Sequence, residues 1–530
     1  MNYKKILSWL DKNILLLLSG FLLAFIPLFP KIPFFSPIEE YIVRIRIEDF
    51  LVLFTIIIWL IQLIRKKIKW KSTTAWLMIA YAVVGLLSVV SAVLVIKTVP
   101  IIDKHILKTL LHYFRYLEYF ALFFITYSSL KKTKDVQILL GVISFSLLCV
   151  SIYGVGQKYY YWPVYSTMNR EFSKGIRLYL TEHARVQSTF AGHYDLAAYL
   201  VIILPLLLAL AYSSKQKIIK FFLFFLQFFG VWMLIVSAAR TSFIAYVLSS
   251  IIVVILSGLK KDSFWLKISW ITTRLLGLWI VIFILIAIFG TDIYERSLQV
   301  LKPYPLIYSK YEQLEKQINK SFIRTISTTP PSNSISTKEV EVLVASDQRP
   351  STERPMDVYH DIPDQIKVST TSADGVTETI IVEKPRVWSD NALRYGLSTA
   401  IRLDTLWPRA MQGFIRNPLF GSGYATLNKT SPTDFTIADS TDNNFLRTLG
   451  ETGLLGFITF YGIVLSSIVL AISGLRKKDV LLSTLSIGYL AATLGLLFNA
   501  FFIDVFAASK VAFTFWAITG LFLGYYKLKK

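Results

Sequence analysis

The amino-acid sequence predicts an all-α polytopic membrane protein with about twelve transmembrane helices. Of its 530 residues, 54% are hydrophobic and only 17% are charged, whereas about 25% are charged in soluble proteins. Apolar runs close to the ~20 residues that cross a bilayer recur from one end of the chain to the other. Between these runs, Lys and Arg fall in short clusters, as they do in the loops of membrane proteins.

The apolar runs predict the individual spans and their direction. The spans are expected at 13–30, 49–64, 74–96, 107–129, 136–156, 194–213, 219–237, 241–257, 268–290, 453–473, 480–502 and 510–526. No small-residue cleavage site follows the first run, so we predict a retained span and not a signal peptide. The basic clusters occupy alternate connections, and the positive-inside rule then places both termini in the cytoplasm.

One long connection separates two groups of spans. Residues 1–290 are expected to form a nine-helix region, 291–443 a large extracytoplasmic loop, and 444–530 a three-helix region. A loop of this length is functional or partly disordered in most proteins. Its stretch 325–385 is rich in Ser, Thr and Pro, which favours a flexible insertion. Within it, alternation of apolar and polar residues around Asp374-Gly375 predicts a small β-hairpin.

Composition also excludes several classes of function. The net charge is +22, but the basic residues do not form a domain with interleaved aromatics, so nucleic acid is not an expected partner. Cys149 is the single cysteine, which excludes an intrachain disulfide and a cysteine-rich metal site. The histidines lack a zinc-binding spacing, and the chain has no P-loop. We therefore expect no metal and no cofactor.

Arginines collect on the side predicted to face outward. Arg185 precedes the sixth span, Arg240 lies in a turn of a few residues between the seventh and eighth spans, and Arg402 and Arg409 lie near the end of the large loop. A lone interfacial arginine commonly snorkels to lipid headgroups. Arg240, however, is on the side that the positive-inside rule depletes. Several guanidinium groups on one face suit bidentate binding of phosphate or diphosphate.

The start of the tenth span is unusually polar for a membrane border. Asp442 is suited to cap a helix there, and Asn443 fits either a cap or a binding site. Arg447 and Glu451 are spaced i,i+4 on one helix face and are expected to pair. These residues have a structural explanation, and a site for a polar substrate is the alternative.

A second charged pair lies within a predicted span. Arg115 and Glu118 are three residues apart in the fourth span, at 107–129. Ionisable groups inside a membrane segment face the bundle interior and pair with one another. We expect this pair to be structural support first and part of a substrate pathway second.

Four short segments recur together in a known family. They are Arg185-Val-Gln-Ser-Thr-Phe followed by Leu196-Ala197; Ser237-Ala-Ala-Arg240-Thr-Ser; Arg402 followed by Trp407, Pro418 and Phe420-Gly421-Ser422-Gly423; and Asp442-Asn443-Asn444-Phe445-Leu446 continuing through Leu449, Glu451, Gly453 and Gly456. In this order, with a large outward loop before the fourth, they resemble the O-antigen ligase and O-antigen polymerase (Wzy-type) family of bacterial membrane glycosyltransferases. The resemblance covers most of residues 105–526.

The resemblance implies a GT-C-like membrane fold and an activity. A glycan is transferred from an undecaprenyl-diphosphate carrier to a hydroxyl of a glycan or glycolipid acceptor, at the outer face of the cytoplasmic (inner) membrane. Neither a metal nor a nucleotide sugar takes part. The implied partners are the lipid-linked donor, the acceptor and the lipid bilayer.

The resemblance also implies roles for particular residues. Arg240 and Arg402 would bind the diphosphate, with Arg185 in support. Asp442 stands where ligases of the family have a histidine that is thought to deprotonate the acceptor, and a carboxylate can serve as a general base. The remaining expected substrate-binding residues are His193, Asn443, Arg447 and Asp504. Because Asp442 replaces the histidine, an O-antigen or exopolysaccharide polymerase stays open as the alternative to a ligase.

A polytopic transporter or flippase is a further alternative, since such proteins also have about twelve spans. Transporters often contain inverted repeats and helices broken near the middle of the membrane. The sequence shows no convincing repeat, and its polar residues lie at one face and not at mid-depth. Transport is therefore the less favoured prediction.

Overall fold

The chain is mainly helical within the residues that the structure describes. The computed structural model describes residues 3–35, 37–38, 44–167, 172–181, 184–293, 364–371, 377–384, 397–427 and 440–530. The long helices are α1 (Tyr3–Leu28), α2 (Ile47–Ile64), α3 (Thr73–Val90, continued by a π-helical turn, Ser91–Val95), α4 (Asp103–Ser129), α5 (Thr133–Tyr160), α6 (His193–Ser213), α7 (Lys217–Val236), α8 (Arg240–Gly258) and α9 (Phe264–Phe289). Two short helices, α10 (Leu397–Ile401) and α11 (Trp407–Arg416), precede α12 (Asn444–Leu475), α13 (Val480–Asn499) and α14 (Ser509–Leu528).

These helices have the dimensions of membrane spans. Within the described ranges, 11 helices are long and apolar enough to cross a membrane. The fourth predicted span also forms a helix, α4, of 27 residues. Arg115, Glu118 and other polar residues lower its hydropathy, so it is not one of the 11. The described chain therefore has the architecture of a polytopic membrane protein.

Successive long helices run in opposite directions, so their ends lie at one or the other end of the bundle. At one end of the bundle, the amide of Asn444 donates to the carbonyl of Ala500 at 2.8 Å, and the Asn499 side chain donates to Ser242 Oγ at 2.9 Å. We call this the polar end. At the opposite, basic end, Lys529 pairs with Asp479 at 2.8 Å. The polar end therefore gathers the starts of α8, α12 and α14 and the end of α13.

The centre of the bundle is formed by α6, α13 and α14, whose apolar segments are the most buried. By contrast, α9 is peripheral, because only Ile282 and Leu285 on it are buried. The central helices bury their side chains on all faces, as uniformly apolar helices do. The polar residues near their ends are consequently held in fixed positions.

Helix α12 is broken at Gly453, the residue at which the tenth span is predicted to begin. Gly453 has φ 67° and ψ −167°, a conformation open essentially only to glycine. A Cβ atom built there would lie 2.4 Å from the carbonyl carbon of Leu419. The break thus divides a short polar helix from the long apolar part of α12.

The segment that follows α11 forms backbone hydrogen bonds with the residues on both sides of this break. Helix breaks inside membrane proteins require such partners, because the freed backbone groups have no water to bond. Gly421 also has a positive φ, of 68°, which allows its backbone to approach Glu451 and Thr452. The bonds run from Ser422 N to Gly450 O (2.8 Å), Gly423 N to Glu451 O (3.0 Å), Leu454 N to Pro418 O (2.8 Å) and Leu455 N to Leu419 O (3.2 Å).

Replacing Gly453 with alanine should destabilise the protein by at least about 2 kcal/mol, because the side chain adds both backbone strain and a clash. The unfolding midpoint of the purified protein in detergent measures this effect. Gly141→Ala in α5 is the matched control, since nothing lies within 4 Å of its added Cβ. The control should be neutral or stabilising by up to about 1 kcal/mol. Equal midpoints for the two variants would contradict the packing described at Gly453.

The chain divides into two compact units. The first comprises Met1–Leu180, Arg185–Tyr294 and Leu406–Lys530, and the second Thr181–Ala184 and Glu295–Thr405. In the second unit, strands β1 (Asp364–Thr371) and β2 (Thr377–Lys384) pair antiparallel, from Asp364 opposite Lys384 to Thr371 opposite Thr377. They lie in the segment for which alternation predicts a hairpin. The predicted turn, Asp374-Gly375, and most of the predicted insertion 325–385 lie outside the described residues.

Candidate functional site

The polar end contains a cavity of about 210 Å³. Four cationic side chains line it: Lys31, Arg46, Arg115 and Arg447. Helices α4, α6, α12 and α14 and the connection between α1 and α2 contribute to its wall. Such a concentration of cations in one concave space suits an anionic ligand.

The connection between α1 and α2 folds back on itself and brings two of these cations together. The amide of Phe34 donates to the carbonyl of Ile45 at 3.0 Å, and the amide of Ile45 donates to the carbonyl of Phe35 at 2.9 Å. Lys31 and Arg46 lie just outside this pairing, and both are buried. The positive-inside rule depletes basic residues on this predicted side, which is the one sequence signal that marks them.

Lys31 is held by partners from two helices. Its Nζ donates to Glu48 Oε1 at 2.8 Å and also to Ser509 Oγ. Burial and the neighbouring Arg46 guanidinium lower the pKa of Lys31, whereas Glu48 acts to raise it. The ammonium group is consequently fixed at the cavity wall by contacts that leave it little freedom.

Arg115 is held by a carboxylate that the sequence pattern does not indicate. The predicted contact with Glu118 is present, at 3.2 Å. In addition, the Arg115 guanidinium donates twice to Asp49, at 2.5 Å to Oδ1 and 3.2 Å to Oδ2. This bidentate geometry fixes the plane of the guanidinium group. Arg115 therefore lies at the cavity wall with a defined orientation.

Arg447 links the polar start of α12 to the segment after α13. It pairs with Glu451 at 3.4 Å, as the i,i+4 spacing predicts, and with Asp504 at 3.0 Å. Glu451 also accepts from the amide of Ala425 at 3.1 Å. Arg447 thus contributes to the cavity wall and joins two separate parts of the chain.

Asp504 accepts hydrogen bonds from the residues that precede α12. Its Oδ2 accepts from Thr441 N at 2.8 Å and from Ser440 Oγ at 3.2 Å, and its Oδ1 accepts from Asn443 N at 3.1 Å. With Arg447 as a further donor, its two oxygens have four partners. Asp504 thus holds the start of α12 and the residues before it in place, and we call these four contacts the Asp504 clamp.

Asp442 is half-buried, next to this clamp. Its Oδ1 accepts from Ser440 Oγ at 2.8 Å, and its backbone has a positive φ of 51°. The prediction that Asp442 caps the helix is wrong: the residue that caps α12 is Asn443, whose side chain accepts from Leu446 N at 3.0 Å. Asp442 is not among the residues that line the cavity.

The remaining predicted site residues occupy different positions. The Arg185 guanidinium contacts His193 Nε2 and lies 5.8 Å from the centre of the Tyr194 ring. Arg240 is half-buried and begins α8, directly after the turn at Ser237. Arg402 begins a π-helical turn, Arg402–Leu406, and belongs to the second compact unit.

A second, apolar space adjoins the cavity. It is a groove of about 590 Å³ between α2, α3 and α4. Phe50, Leu53 and Phe114 in its wall are each about half exposed, so the groove opens on the outside of the bundle. Leu111 and Arg115 line both the groove and the cavity. The two spaces therefore share these two residues, and the groove is otherwise lined mainly by apolar side chains.

Comparison with known proteins does not assign the chain to a family. No protein-family model matches it, and no curated protein matches it significantly. Within the described residues, no group of three or more His, Cys, Asp or Glu side chains is placed to bind a metal ion. The proposed function therefore rests on the geometry of the cavity and the groove.

Proposed function

We propose that this chain is a membrane glycosyltransferase that moves a glycan from an undecaprenyl-diphosphate carrier to an acceptor hydroxyl, as an O-antigen ligase does. The observation that carries this proposal is the cationic cavity that meets an apolar groove at Arg115. The sequence resemblance supports the same substrate class. A polymerase of the same superfamily is the second candidate, because Asp442 replaces the histidine of the ligases.

A lipid diphosphate has two chemically different parts, and each has a counterpart on this surface. Diphosphate oxygens bind arginine and lysine donors, with arginine favoured for bidentate contacts. The isoprenoid chain requires apolar surface that is accessible from the bilayer, which the groove between α2, α3 and α4 provides. Arg115 lies at the junction, where the first phosphate of such a lipid would be expected.

The cavity also suits the chemistry of the transfer. Negative charge accumulates on the diphosphate as its bond to the sugar breaks, and fixed cations stabilise that transition state. Carboxylates such as Asp49 and Asp504 hold Arg115 and Arg447 in place. A guanidinium group has five N–H donors, so a carboxylate on one edge is compatible with a phosphate on another.

We further propose that the polar end faces away from the cytoplasm, in the cytoplasmic membrane. The basic end carries Lys131, Lys260 and Lys529 in connections between helices or at the chain end. Membrane proteins retain such residues in the cytoplasm. This orientation gives the cavity access to lipid-linked glycans at the outer leaflet.

Binding of undecaprenyl diphosphate tests this proposal. The full chain in lipid nanodiscs should bind it at least about tenfold more tightly than undecaprenyl monophosphate, because more cations engage the second phosphate. Native mass spectrometry with both lipids measures the ratio. Phosphatidylglycerol, added from vesicles, is the control for non-specific binding of an anionic lipid. Equal retention of all three lipids would contradict a diphosphate site.

The glycans of a deletion strain separate the candidate activities. Loss of acceptor-linked glycan, with full-length chains left on the carrier, indicates a ligase. Products limited to one repeat unit indicate a polymerase. Unpolymerised lipid-linked intermediate trapped on the inner face would instead indicate a flippase and contradict the proposal.

A further inference from the structure

Among the described residues, the cavity wall contains one carboxylate that is not committed to a structural contact. Asp195, in the first turn of α6, lines the cavity together with the four cations. Within the described residues, no hydrogen bond or ion pair engages its carboxylate. The residue is only partly buried, and it lines the cavity.

The other carboxylates around the cavity differ from Asp195 in this respect. Glu48 accepts from Lys31, and Asp49 is bound to Arg115. Glu451 and Asp504 hold Arg447. Each of them lies behind a cation and keeps it in place. None of these four carboxylates lines the cavity itself.

The charged groups that face Asp195 come from several elements. Lys31 and Arg46 belong to the connection between α1 and α2, and Lys510 to α14. His112 and Arg115 of α4 and Arg447 of α12 line the same cavity. Lys31 has Glu48 and Ser509 as partners, so it does not require Asp195.

Lys510 is similarly committed elsewhere. Its Nζ donates to the carbonyl oxygens of Pro27 at 3.1 Å, Phe29 at 2.7 Å and Thr189 at 2.7 Å. An ammonium group has three donors, and all three are used. Asp195 is thus placed beside cations without serving as the hydrogen-bond acceptor of either lysine.

We infer that Asp195 is the general base that deprotonates the acceptor hydroxyl. This inference rests on the proposed function. The acceptor O–H gives its proton to the Asp195 carboxylate as the acceptor oxygen bonds to the sugar carbon. The bond from that carbon to the diphosphate breaks, and its electron pair leaves on the diphosphate oxygen. Asp195 then releases the proton to water, and the products are the glycosidic bond and the free lipid diphosphate.

The position of Asp195 fits this role better than the position of Asp442. A base must be within hydrogen-bond reach of the hydroxyl that it deprotonates, and the cations at the cavity wall mark where the diphosphate would lie. Asp195 shares that wall, whereas Asp442 accepts from Ser440 outside it. The resemblance points to Asp442, and the geometry of the cavity points to Asp195.

The test compares turnover with binding in Asp195→Asn. Glycan-loaded undecaprenyl diphosphate, extracted from the deletion strain, is the donor, and a membrane extract of that strain supplies the acceptor. Release of undecaprenyl diphosphate should fall about 100-fold or more. Binding of undecaprenyl diphosphate should change less than about threefold, because the cations remain. Asp195→Glu should recover part of the rate.

The pH profile separates a base from a merely structural carboxylate. The wild-type rate should fall at low pH as the carboxylate becomes protonated, and the residual rate of Asp195→Asn should lack this fall. Asp262→Asn is the matched control, since Asp262 is exposed at the basic end. It should keep the wild-type rate and profile within about twofold, because it touches no part of the cavity.

Three results would overturn the inference. They are a rate for Asp195→Asn within about threefold of wild type, a parallel loss of binding and rate, and a larger rate loss in Asp442→Asn or His112→Gln than in Asp195→Asn. Failure of the proposed function looks different, because the wild-type protein would then neither bind undecaprenyl diphosphate selectively nor release it.

Discussion

Arg447→Met should destabilise the protein by about 3–5 kcal/mol, because it leaves buried carboxylates without their cation. Asp504 lies 3.0 Å and Glu451 3.4 Å from Arg447, and all three side chains are largely buried. Unfolding of the detergent-solubilised protein in increasing denaturant measures the change. Adding Glu451→Gln to Arg447→Met should recover part of the loss, since one uncompensated charge is then removed.

The control for Arg447 is an ion pair at the basic end. Arg65 pairs with Asp11 at 2.6 Å, but both side chains are substantially exposed. Arg65→Met should therefore change the free energy of unfolding by no more than about 1 kcal/mol. A similar small change for Arg447→Met would mean that solvent reaches the cluster and that Arg447 is not the link between α12 and Asp504.

Arg115→Met should lower the turnover of glycan-loaded undecaprenyl diphosphate by about 100–1,000-fold, the range seen when a fixed donor to a developing negative charge is removed. Binding of undecaprenyl diphosphate should weaken as well, because Arg115 lies where the cavity meets the groove. Arg115→Lys keeps the charge but loses the bidentate contact with Asp49. It should fall between the wild type and Arg115→Met.

Arg274→Met is the matched control for Arg115. Arg274 also lies within a long apolar helix, α9, but it is exposed and stacks on Trp270 at 5.3 Å. Its removal should leave turnover and binding within about twofold of wild type, because α9 contributes nothing to the cavity. Equal losses in Arg115→Met and Arg274→Met would indicate a general effect of removing positive charge and not a site.

Much of the fold follows from the hydropathy of the sequence. The predicted spans coincide with helices because each apolar run is long enough to satisfy its own backbone and bury its side chains in a bundle. The break at Gly453 differs, because the segment around Pro418 and Gly421 must be present to complete it. Contacts between distant segments of this kind have no signal in a local pattern.

The site was predictable where partners are close in sequence. The contacts of Arg447 with Glu451 and of Arg115 with Glu118 follow from helix periodicity. The contact of Arg447 with Asp504 does not, because it depends on how α12 and α13 are packed.

Some residues of the cavity could not be predicted from sequence motifs, and the clearest cases are Lys31, Arg46 and Asp195. Lys31 and Arg46 are brought together by a short backbone pairing within the connection between α1 and α2. The proposed role of Asp195 depends on the cavity that other helices form around it. The role of a residue that belongs to no motif depends on its tertiary contacts, and a single sequence does not reveal these contacts.

The way the broken helix is completed bears on which changes this region can tolerate. The segment from Pro418 to Gly423 is held mainly by main-chain groups, which every residue except proline supplies in full. Substitution at its non-glycine positions leaves most of that pairing in place, whereas inserting or deleting a single residue shifts all of it at once. This part of the protein is therefore constrained in length more than in composition.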